Sequence, residues 1–557
     1  MRNSMTRRSF TKTTGLATLG MMMGCTVSNP FSLIIKNGLL IDGSGKAGIK
    51  TDLGLAGGKI KAIGDLSQAS ADRVIDAQGL VVTPGFIDIH THTDTELLVD
   101  PRGMSKLVQG VTTEVSGNCG SSPFPLTEAE RAEDGKRLYE KYGIDYSWTD
   151  ISGFLQALEE RHLSLNYATF TGHGTLRGNV VGKNDVPPSE AQLKDMQRIL
   201  EASMEAGSFG LSSGLEYAPG SYADTEELIA LSRVVAKMDG VYATHMRNED
   251  DTVEEAIEEA LRVSRESGAS LQISHFKACN RGNWGKVDHM LEMIHSAYDA
   301  GLPVMADRYP YVAYGTGLSI FLPLSTRQGE TEEIIARLED KKQLAEIRKY
   351  TEERGERIGG WERVMISGCR KEENRVWEGK SIVECAEATN LSPFEFIRTI
   401  LIDEKLSVSI VGFAMDEDNL KKVLVSPLMM VGSDGNAIAP EGKLGSGKPH
   451  PRYYGSCARV LGKYCREEKI FDLPTAVRKM SSMPAEKLGL RDRGYLKTGY
   501  MADIAIFNPD TVIDRATFVN PHQTAVGVSY VIVNGKIAVD AGEVTEARGG
   551  QILRHQV

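Results

Sequence analysis

The chain has 557 residues, of which 41% are hydrophobic and 25% are charged, and it contains 57 glycines. This composition is typical of a globular protein, and the length suffices for one large domain and a smaller one. The net charge of −11 argues against nucleic-acid binding, because proteins that bind nucleic acids usually present a basic face. The seven cysteines include no Cys-x-x-Cys pair, so neither a disulfide scaffold nor a zinc ribbon is indicated.

Residues 1–30 resemble an export signal rather than part of the fold. Residues 6–12 carry twin arginines followed by phenylalanine and lysine, and the mildly apolar run at 15–24 is too short to span a membrane. The run ends at Cys25 in a sequence that loosely resembles a lipoprotein cleavage site. We therefore expect a twin-arginine signal peptide, export to the periplasm or envelope of a bacterium, and a lipid anchor at Cys25. An ordinary basic N-terminus is the alternative.

Both ends of the remaining chain are rich in short predicted strands and Asn-Gly turns. The pattern occurs in four segments, 33–38, 53–60, 502–507 and 530–536. We expect one small β-sandwich domain built from both termini, with residues 31–83 as its N-terminal part and residues 486–547 as its C-terminal part.

From residue 84 to residue 485, short β-rich runs alternate with helical segments. Repeated strand–helix units imply a parallel sheet, and this number of units predicts a (β/α)8 barrel of the TIM type. Residues 325–425 interrupt the alternation, and we interpret Glu330–Arg357 and Lys371–Lys380 as charged helical segments of an insertion over the barrel mouth. A lid or pocket wall and plain surface elaboration are equally compatible with this insertion.

The first predicted barrel strand, Phe86–Ile89, is followed by His90 and His92. Residues two apart in a strand point the same way, so the two imidazoles project together, and such a pair suits a borderline metal such as zinc. Six potential metal ligands follow predicted strands in this way: His90, His92, Cys119, His245, His275 and Asp434. Barrels of this kind carry their active sites at the C-terminal ends of the strands, so these side chains are expected to meet there.

The chain resembles the N-acyl-D-amino-acid deacylase (D-aminoacylase) family of the amidohydrolase superfamily from residue 31 onwards. The motifs that carry the resemblance are Pro-Gly-Phe-Ile-Asp-Ile-His-Thr-His-Thr-Asp at 84–94, Gly-Val-Thr-Thr-Glu-Val-Ser-Gly-Asn-Cys-Gly at 110–120, Gly-His-Gly-Thr-Leu-Arg at 172–177, Tyr-Ala-Thr-His-Met-Arg at 242–247, Ile-Ser-His-Phe-Lys at 273–277, Asp-Arg-Tyr-Pro-Tyr at 307–311, Gly-Ser-Asp-Gly at 432–435 and His-Pro-Arg at 450–452. Many amidohydrolases share the His-x-His pair, whereas Asn-Cys-Gly is more specific to this group.

The resemblance implies a zinc site and a set of ligands. Cys119, His245 and His275 match the ligands of a tightly held zinc, which would leave one position open for water. A second, weaker site would use His90, His92 and Asp434, with the Cys119 thiolate as the bridge.

The resemblance also implies residue roles in catalysis and substrate binding. Asp434 is expected to take the proton of the attacking water and to pass it to the leaving nitrogen. Lys277, Tyr309 and Arg452 match residues that hold the substrate carboxylate, for which a planar guanidinium is well suited. Glu216 stands where the best-known deacylases place an apolar substrate contact, so we expect it to bind substrate and to favour a basic D-side chain or a free amino group.

The expected activity is zinc-dependent hydrolysis of the amide bond of N-acyl-D-amino acids to a carboxylate and a free D-amino acid. The Glu216 departure makes an L-Xaa-D-Xaa dipeptidase an alternative. A cyclic-amide hydrolase of the dihydroorotase or hydantoinase kind is another, although those enzymes usually carry a lysine bridge where Cys119 stands here. A non-catalytic, envelope-anchored binding protein is the alternative from another class. The roles of His173 and Cys279 and the oligomeric state stay open.

Overall fold

The computed structural model describes residues 29–556, and a closed ring of parallel strands lies at their centre. The ring is formed by β1 (Phe86–Asp88), β2 (Val111–Ser116), β3 (Asn166–Thr169, continued by Thr171–Gly172), β4 (Gly210–Gly214), β5 (Val241–His245), β6 (Ser270–Ile273), β7 (Val304–Arg308) and β8 (Met429–Val431). Each strand pairs in parallel with the next one along the chain. The predicted (β/α)8 barrel is therefore confirmed.

The ring closes between β8 and β1 through residues that lie just beyond the two strands. Thr91 forms a parallel bridge with Gly435, and the backbone N–H of Asp434 donates to the carbonyl oxygen of His90 at 2.8 Å. This closure places the two ends of the barrel sequence side by side at its C-terminal rim.

Helices surround the barrel and connect its strands. Their ends carry ordinary start and stop signals: Ser189 begins its helix with a capping box to Gln192, and Gly268 ends its helix in the left-handed conformation with φ of 82°. The α-helices of the barrel are Glu96–Val99, Met104–Leu107, Glu128–Tyr142, Ile151–Glu160, His173–Val180, Glu190–Glu205, Thr225–Lys237, Val253–Ser267, Val287–Asp299, Glu417–Val425, Arg452–Arg459, Leu473–Met480 and Ser482–Lys487.

The predicted small β-sandwich is present and uses both termini. Its strands are Phe31–Lys36, Leu39–Leu40, Ile49–Lys50, Asp52–Ala56, Lys59–Gly64, Ala71–Asp76, Val81–Pro84, Ile504–Phe507, Val528–Val533, Lys536–Asp540 and Glu543–Val544. They form a four-stranded and a seven-stranded sheet that share one apolar core, in which Leu33 and Leu55 meet Ile504 and Ile532. Since Val81–Pro84 pairs with Ile504–Phe507 immediately before β1, the sandwich is anchored to the start of the barrel.

The region between β7 and β8 contains an antiparallel sheet that the sequence reading missed. Its strands are Tyr314–Gly317, Val364–Cys369 and Val408–Gly412. The partners are about 40 or more residues apart along the chain, and no tight hairpin turn marks their pairing.

Besides the barrel helix Glu417–Val425, the same region contains four α-helices, Thr331–Glu339, Leu344–Ile358, Ile382–Thr389 and Pro393–Asp403. The segment Lys371–Lys380, interpreted as helical, contains a 3-10 helix at Glu372–Trp377 and no α-helix.

The predicted signal peptide and Cys25 lie outside the described residues, apart from Asn29 and Pro30. Within residues 29–556, no helix combines the length and the apolar character that a membrane crossing requires.

Candidate active site

His90 and His92 follow β1 at the C-terminal rim of the barrel. His90 is fully buried, with Nδ1 3.0 Å from Asp307 Oδ1 and Nε2 3.4 Å from the sulfur of Cys119. His92 Nε2 lies 3.1 Å from Asp434 Oδ1. Burial lowers the pKa of His92, but Asp434 and Cys119 outweigh it and raise the pKa to about 9. Both imidazoles therefore turn towards the same thiol and carboxylate.

Cys119 sits in a tight loop after β2 with a positive φ of 50°. The loop packs against β4 so closely that a Cβ at Gly214 would lie 2.0 Å from the carbonyl oxygen of Cys119, which explains the glycine there. Burial raises the pKa of the thiol, but His90 and His275 outweigh it and hold the pKa well below its ordinary value. A thiolate, which is the form that ligates metals, is therefore favoured at this position.

His245 is the last residue of β5, His275 follows β6, and their rings are nearly perpendicular, with an interplanar angle of 81°. Nδ1 of His245 lies 2.9 Å from Nε2 of His275, and the same Nε2 lies 3.4 Å from the Cys119 sulfur. The backbone N–H of His275 donates to Asp307 Oδ1 at 2.8 Å, which fixes the residue at its unusual φ of 36°. These contacts bring the nitrogen donors of β5 and β6 to the sulfur of the β2 loop.

Two glutamates lie behind these histidines. Glu249 Oε1 is 2.8 Å from Nδ1 of His275, and Glu216 Oε2 is 3.2 Å from Nε2 of His245. Burial raises the pKa of Glu249, but Lys277 and His275 outweigh it and hold the pKa well below the ordinary value. With Asp307 beside His90 and Asp434 beside His92, each of the four histidines has a carboxylate partner, as is usual around metal-binding imidazoles.

The sequence reading missed the roles of Glu249 and Asp307 in this arrangement. Asp307 was visible only as the first residue of the motif at 307–311, and Glu249 only as a polar residue four positions after His245. The spacing of Glu249 relative to His245 was the one available signal, and it is weak because the intervening turn is irregular.

Asp434 lies in the turn after β8 with a positive φ of 51°. Its Oδ1 faces His92, and its Oδ2 is 2.8 Å from Nη1 of Arg452. Burial raises the pKa of Asp434, but Arg452 first and His92 next outweigh it, and the pKa falls well below the ordinary value. The carboxylate is therefore ionised at neutral pH and can accept a proton.

A buried lysine holds the Asp434 turn in place. Lys106 is fully buried, and its Nζ lies 2.9 Å from Asp88 Oδ2, 3.1 Å from Glu114 Oε1, 2.8 Å from Ser433 Oγ and 3.1 Å from the carbonyl oxygen of Gly435. Such a cation, surrounded by acceptors, fixes the backbone on both sides of Asp434. The sequence reading did not identify it.

Arg452 and Tyr309, two of the predicted substrate contacts, pack against each other below the rim. The guanidinium carbon of Arg452 is 4.8 Å from the centre of the Tyr309 ring. His450 orients Arg452, because its Nδ1 accepts the backbone N–H of Arg452 at 3.0 Å while its Nε2 donates to the carbonyl oxygen of Ala313 at 2.9 Å. Among residues 29–556, neither the buried Tyr309 hydroxyl nor the buried Nε of Arg452 has a hydrogen-bond partner. Both are therefore available to a ligand.

Lys277, the third predicted contact, lies on the same side of the site but is already paired. Its Nζ is 2.5 Å from Glu249 Oε2 and 2.9 Å from Nδ1 of His275. Glu216, the fourth, contacts His245 and also approaches Arg354 of the inserted region, with Oε1 3.5 Å from Nη2. The structure thus brings both residues to the site and gives each of them protein partners.

His173 lies apart from the potential ligands. Its Nε2 is 2.8 Å from Glu227 Oε1, and both side chains are buried, so it has the hydrogen-bonding surroundings of a structural histidine. Cys279 is buried at the cavity wall, and burial raises the pKa of its thiol, in contrast to Cys119.

These side chains open into one cavity of about 1240 Å³. Cys119, His245 and Asp434 line its floor, and Phe321 and Arg354, the latter from the inserted region, line its wall. A cavity of this size with a few converging polar groups is typical of a small-molecule site.

Among the described residues, three groups of donor atoms could hold a metal ion; one is Glu216, His245 and Glu249, and the other two contain Cys119. Cys119, His245 and His275 form one set, and His90, His92, Cys119 and Asp434 form the other, with the ligand atoms of each set within 4.8 Å of one another. One thiolate with two imidazoles is a sound zinc set with a free position. Because Cys119 belongs to both sets, the residues present fit one metal ion or a pair that shares the sulfur.

Comparisons with known proteins show which family the chain belongs to. A model of the amidohydrolase family matches residues 73–313 and 430–539. The D-aminoacylase of Alcaligenes xylosoxydans xylosoxydans is 35% identical over 526 residues, which are 94% of this chain and 98% of that protein.

Two solved structures are similar over almost their whole length. The N-acyl-D-glutamate deacylase of Bordetella bronchiseptica, complexed with zinc and a phosphonate mimic of the tetrahedral intermediate, is 33% identical, with a TM-score of 0.79 over 94% of this chain and 99% of that one. A D-aminoacylase described with a binuclear metal centre is 34% identical, with a TM-score of 0.79 over 94% and 100% of the two chains. The chain therefore belongs to the amidohydrolase family, within its group of N-acyl-D-amino-acid deacylases.

Proposed function

We propose that the chain is a zinc-dependent hydrolase that cleaves N-acyl-D-amino acids to a carboxylate and a free D-amino acid. The observation that carries this proposal is the pair of donor sets that share Cys119 at the floor of a cavity. The characterised relatives support it, since they are deacylases of D-amino acids that match nearly the full chain.

Zinc would be held by Cys119, His245 and His275, with His90, His92 and Asp434 available for a second ion. A bound zinc lowers the pKa of water towards neutrality and polarises a carbonyl oxygen.

Asp434 is suited to move the proton in this reaction. It is ionised, lies at the rim between His92 and Arg452, and can take a proton from the attacking water and deliver it to the leaving nitrogen. The second transfer matters because an amide nitrogen leaves poorly unless it is protonated.

We propose that Arg452, Tyr309 and Lys277 bind the carboxylate of the D-amino acid. The unpartnered Nε of Arg452 and the unpartnered hydroxyl of Tyr309 are donors, and Lys277 adds a positive charge on the same cavity wall. A carboxylate held by three donors would present its amide bond in a single orientation, which is the basis of stereochemical selection.

The test is a screen of purified, zinc-loaded protein with matched N-acetyl-D- and N-acetyl-L-amino acids and with L,D-dipeptides. We expect hydrolysis of the D-series alone, followed as release of the free amino acid. Turnover of the dipeptides in preference to the acetylated substrates would favour the dipeptidase alternative. No turnover across the whole screen would contradict the proposal.

We further propose that the chain is exported to the bacterial periplasm or envelope and is anchored by a lipid at Cys25. The support is the twin-arginine pattern of residues 6–12 and the sequence before Cys25. Fractionation of cells that express the full chain should place it outside the cytoplasm, and replacing both Arg7 and Arg8 with lysine should retain it inside. An identical distribution of the two forms would contradict export.

A further inference from the structure

The carboxylate of Glu216 contacts two protein side chains, one among the potential metal ligands and one in the inserted region. Its side chain is about one-fifth exposed, with Oε2 3.2 Å from Nε2 of His245 and Oε1 3.5 Å from Nη2 of Arg354. His245 is one of the potential metal ligands at the floor of the cavity. Arg354 belongs to helix Leu344–Ile358 of the inserted region. Both carboxylate oxygens are therefore engaged inside the protein.

The two nitrogens of His245 point to different groups. Nδ1 lies 2.9 Å from Nε2 of His275, on the side of the Cys119 sulfur, whereas Nε2 faces Glu216. An imidazole that offers Nδ1 to a metal carries its proton on Nε2, and a carboxylate at 3.2 Å is the natural acceptor of that proton. Glu249 is more distant from this nitrogen, at 3.9 Å.

Arg354 lies next to the other oxygen of the Glu216 carboxylate, Oε1. Its Nη1 is 3.0 Å from Asp250 Oδ2, so one guanidinium joins Glu216 to the turn that follows β5. A basic group of a substrate would have to displace this arginine before it could pair with Glu216. Although Glu216 lines the cavity, both of its carboxylate oxygens thus have protein partners.

We propose that Glu216 is a positioning residue that fixes the tautomer and orientation of His245 for metal binding, while Arg354 pairs with the other carboxylate oxygen and takes no part in this role. The inference rests on the proposed zinc site. It assigns Glu216 to support the metal ligand His245, in place of the substrate contact that the sequence suggested. Carboxylates in this position typically contribute about 10- to 100-fold to metal affinity.

The experiment compares zinc dissociation constants of metal-stripped full-length proteins, measured by competition with a chromophoric chelator. Glu216→Gln keeps the size of the side chain but removes its charge, and it should weaken zinc binding by about tenfold or more. Arg354→Met leaves the contact with His245 intact and should change the constant by no more than about threefold. The visible spectrum of the cobalt-substituted protein should also shift in Glu216→Gln and not in Arg354→Met.

Glu395→Gln is the matched control. Glu395 is also a partly buried glutamate, and its contact with Arg348 likewise reaches helix Leu344–Ile358, but it touches no histidine. The zinc dissociation constant of Glu395→Gln should equal that of the unaltered protein. If Glu216→Gln does not fold, Glu216→Asp serves instead, with a smaller loss expected.

Two results would overturn the inference: a zinc constant for Glu216→Gln within twofold of that for Glu395→Gln, or an equal loss in Arg354→Met. These binding measurements need no substrate. Protein that binds zinc as described but hydrolyses no N-acyl-D-amino acid would refute the proposed function alone.

Discussion

The two ends of the barrel both bury titratable side chains, and they do so in opposite ways. At the C-terminal rim, burial lowers the pKa of His245, but Glu249 and Cys119 outweigh it and raise the pKa to about 10. At the N-terminal end, burial dominates and lowers the pKa of Lys479 and of Lys487 to about 7. The partners of each group, rather than burial itself, account for the difference.

The two lysines at the N-terminal end of the barrel donate hydrogen bonds to backbone carbonyl groups. Lys487 Nζ donates to the carbonyl oxygen of Leu271 at 2.6 Å, and Lys479 Nζ donates to that of Met429 at 3.0 Å, both on barrel strands. Within residues 29–556, neither lysine forms an ion pair with a carboxylate. They bind the ends of barrel strands, which is the structural role expected at this end of a barrel.

The rim, in contrast, gathers groups of both signs around a cavity. Thiol, imidazole, carboxylate and guanidinium groups meet there within hydrogen-bonding distances. Such an arrangement is costly to bury unless a ligand uses it, and perturbed pKa values of this kind cluster at functional sites. The comparison therefore predicts large losses of activity from changes at the rim and losses of stability alone from changes at the other end.

Removal of the shared thiol should have the largest effect. In Cys119→Ala both donor sets lose a ligand, so we expect kcat to fall about a thousandfold or more, since metal catalysis supplies several kcal/mol. Steady-state hydrolysis and zinc content measure the change. Cys385→Ala, which removes a buried thiol from the inserted region, is the control and should stay within about twofold of the unaltered protein. Comparable activity in the two variants would refute the assignment.

Asp434→Asn should lower kcat by roughly 100- to 10,000-fold, because the amide cannot accept the proton that the carboxylate takes. Zinc binding through Cys119, His245 and His275 should persist, which separates proton transfer from metal loss. Asp514→Asn is the control, since Asp514 is likewise buried against an arginine, 3.0 Å from Arg459, but lies outside the cavity. An Asp434→Asn protein with full kcat would exclude this residue as the base.

Arg452→Lys should lower kcat/KM by about 10- to 100-fold, mainly through KM. A lysine keeps the charge but loses the planar fork that grips a carboxylate through two hydrogen bonds. Separate measurement of kcat and KM for N-acetyl-D-amino acids gives the answer. An unchanged KM would mean that the substrate carboxylate is held elsewhere.

Lys487→Met should leave kcat unchanged and alter only stability. The folded-state pKa of about 7 lies below the ordinary 10.5, so the unfolded chain binds more protons between these values and the lysine contributes more stability as pH rises. The free energy of unfolding of the unaltered protein, relative to Lys487→Met, should therefore increase from pH 7 to pH 10. Urea unfolding at several pH values measures this difference, and a flat or falling difference would contradict the pKa assignment.

The potential ligands at the C-terminal rim could be predicted from the sequence because they occur where predicted strands end. His90, Cys119, His275 and Asp434 come directly after strands, and in a parallel barrel every such position reaches the same edge. The barrel itself followed from the alternation of strand and helix, and the sandwich from the Asn-Gly turns at both ends.

What the sequence did not reveal depends on contacts between distant positions. Lys106 reaches Ser433, which lies 327 positions further on, and Arg354 reaches Glu216 across 138 positions. Such contacts leave no periodic trace, and the same is true of the antiparallel sheet between β7 and β8. Glu216 could be recognised as unusual, but its partners could not be read from the chain.

The most direct test of the account is a titration of metal-stripped protein with zinc during hydrolysis of an N-acetyl-D-amino acid. We expect no measurable turnover without metal and a rise that reaches its maximum by about one equivalent, with the L-enantiomer unreactive throughout. Full turnover of the metal-free protein, or equal turnover of both enantiomers, would contradict it.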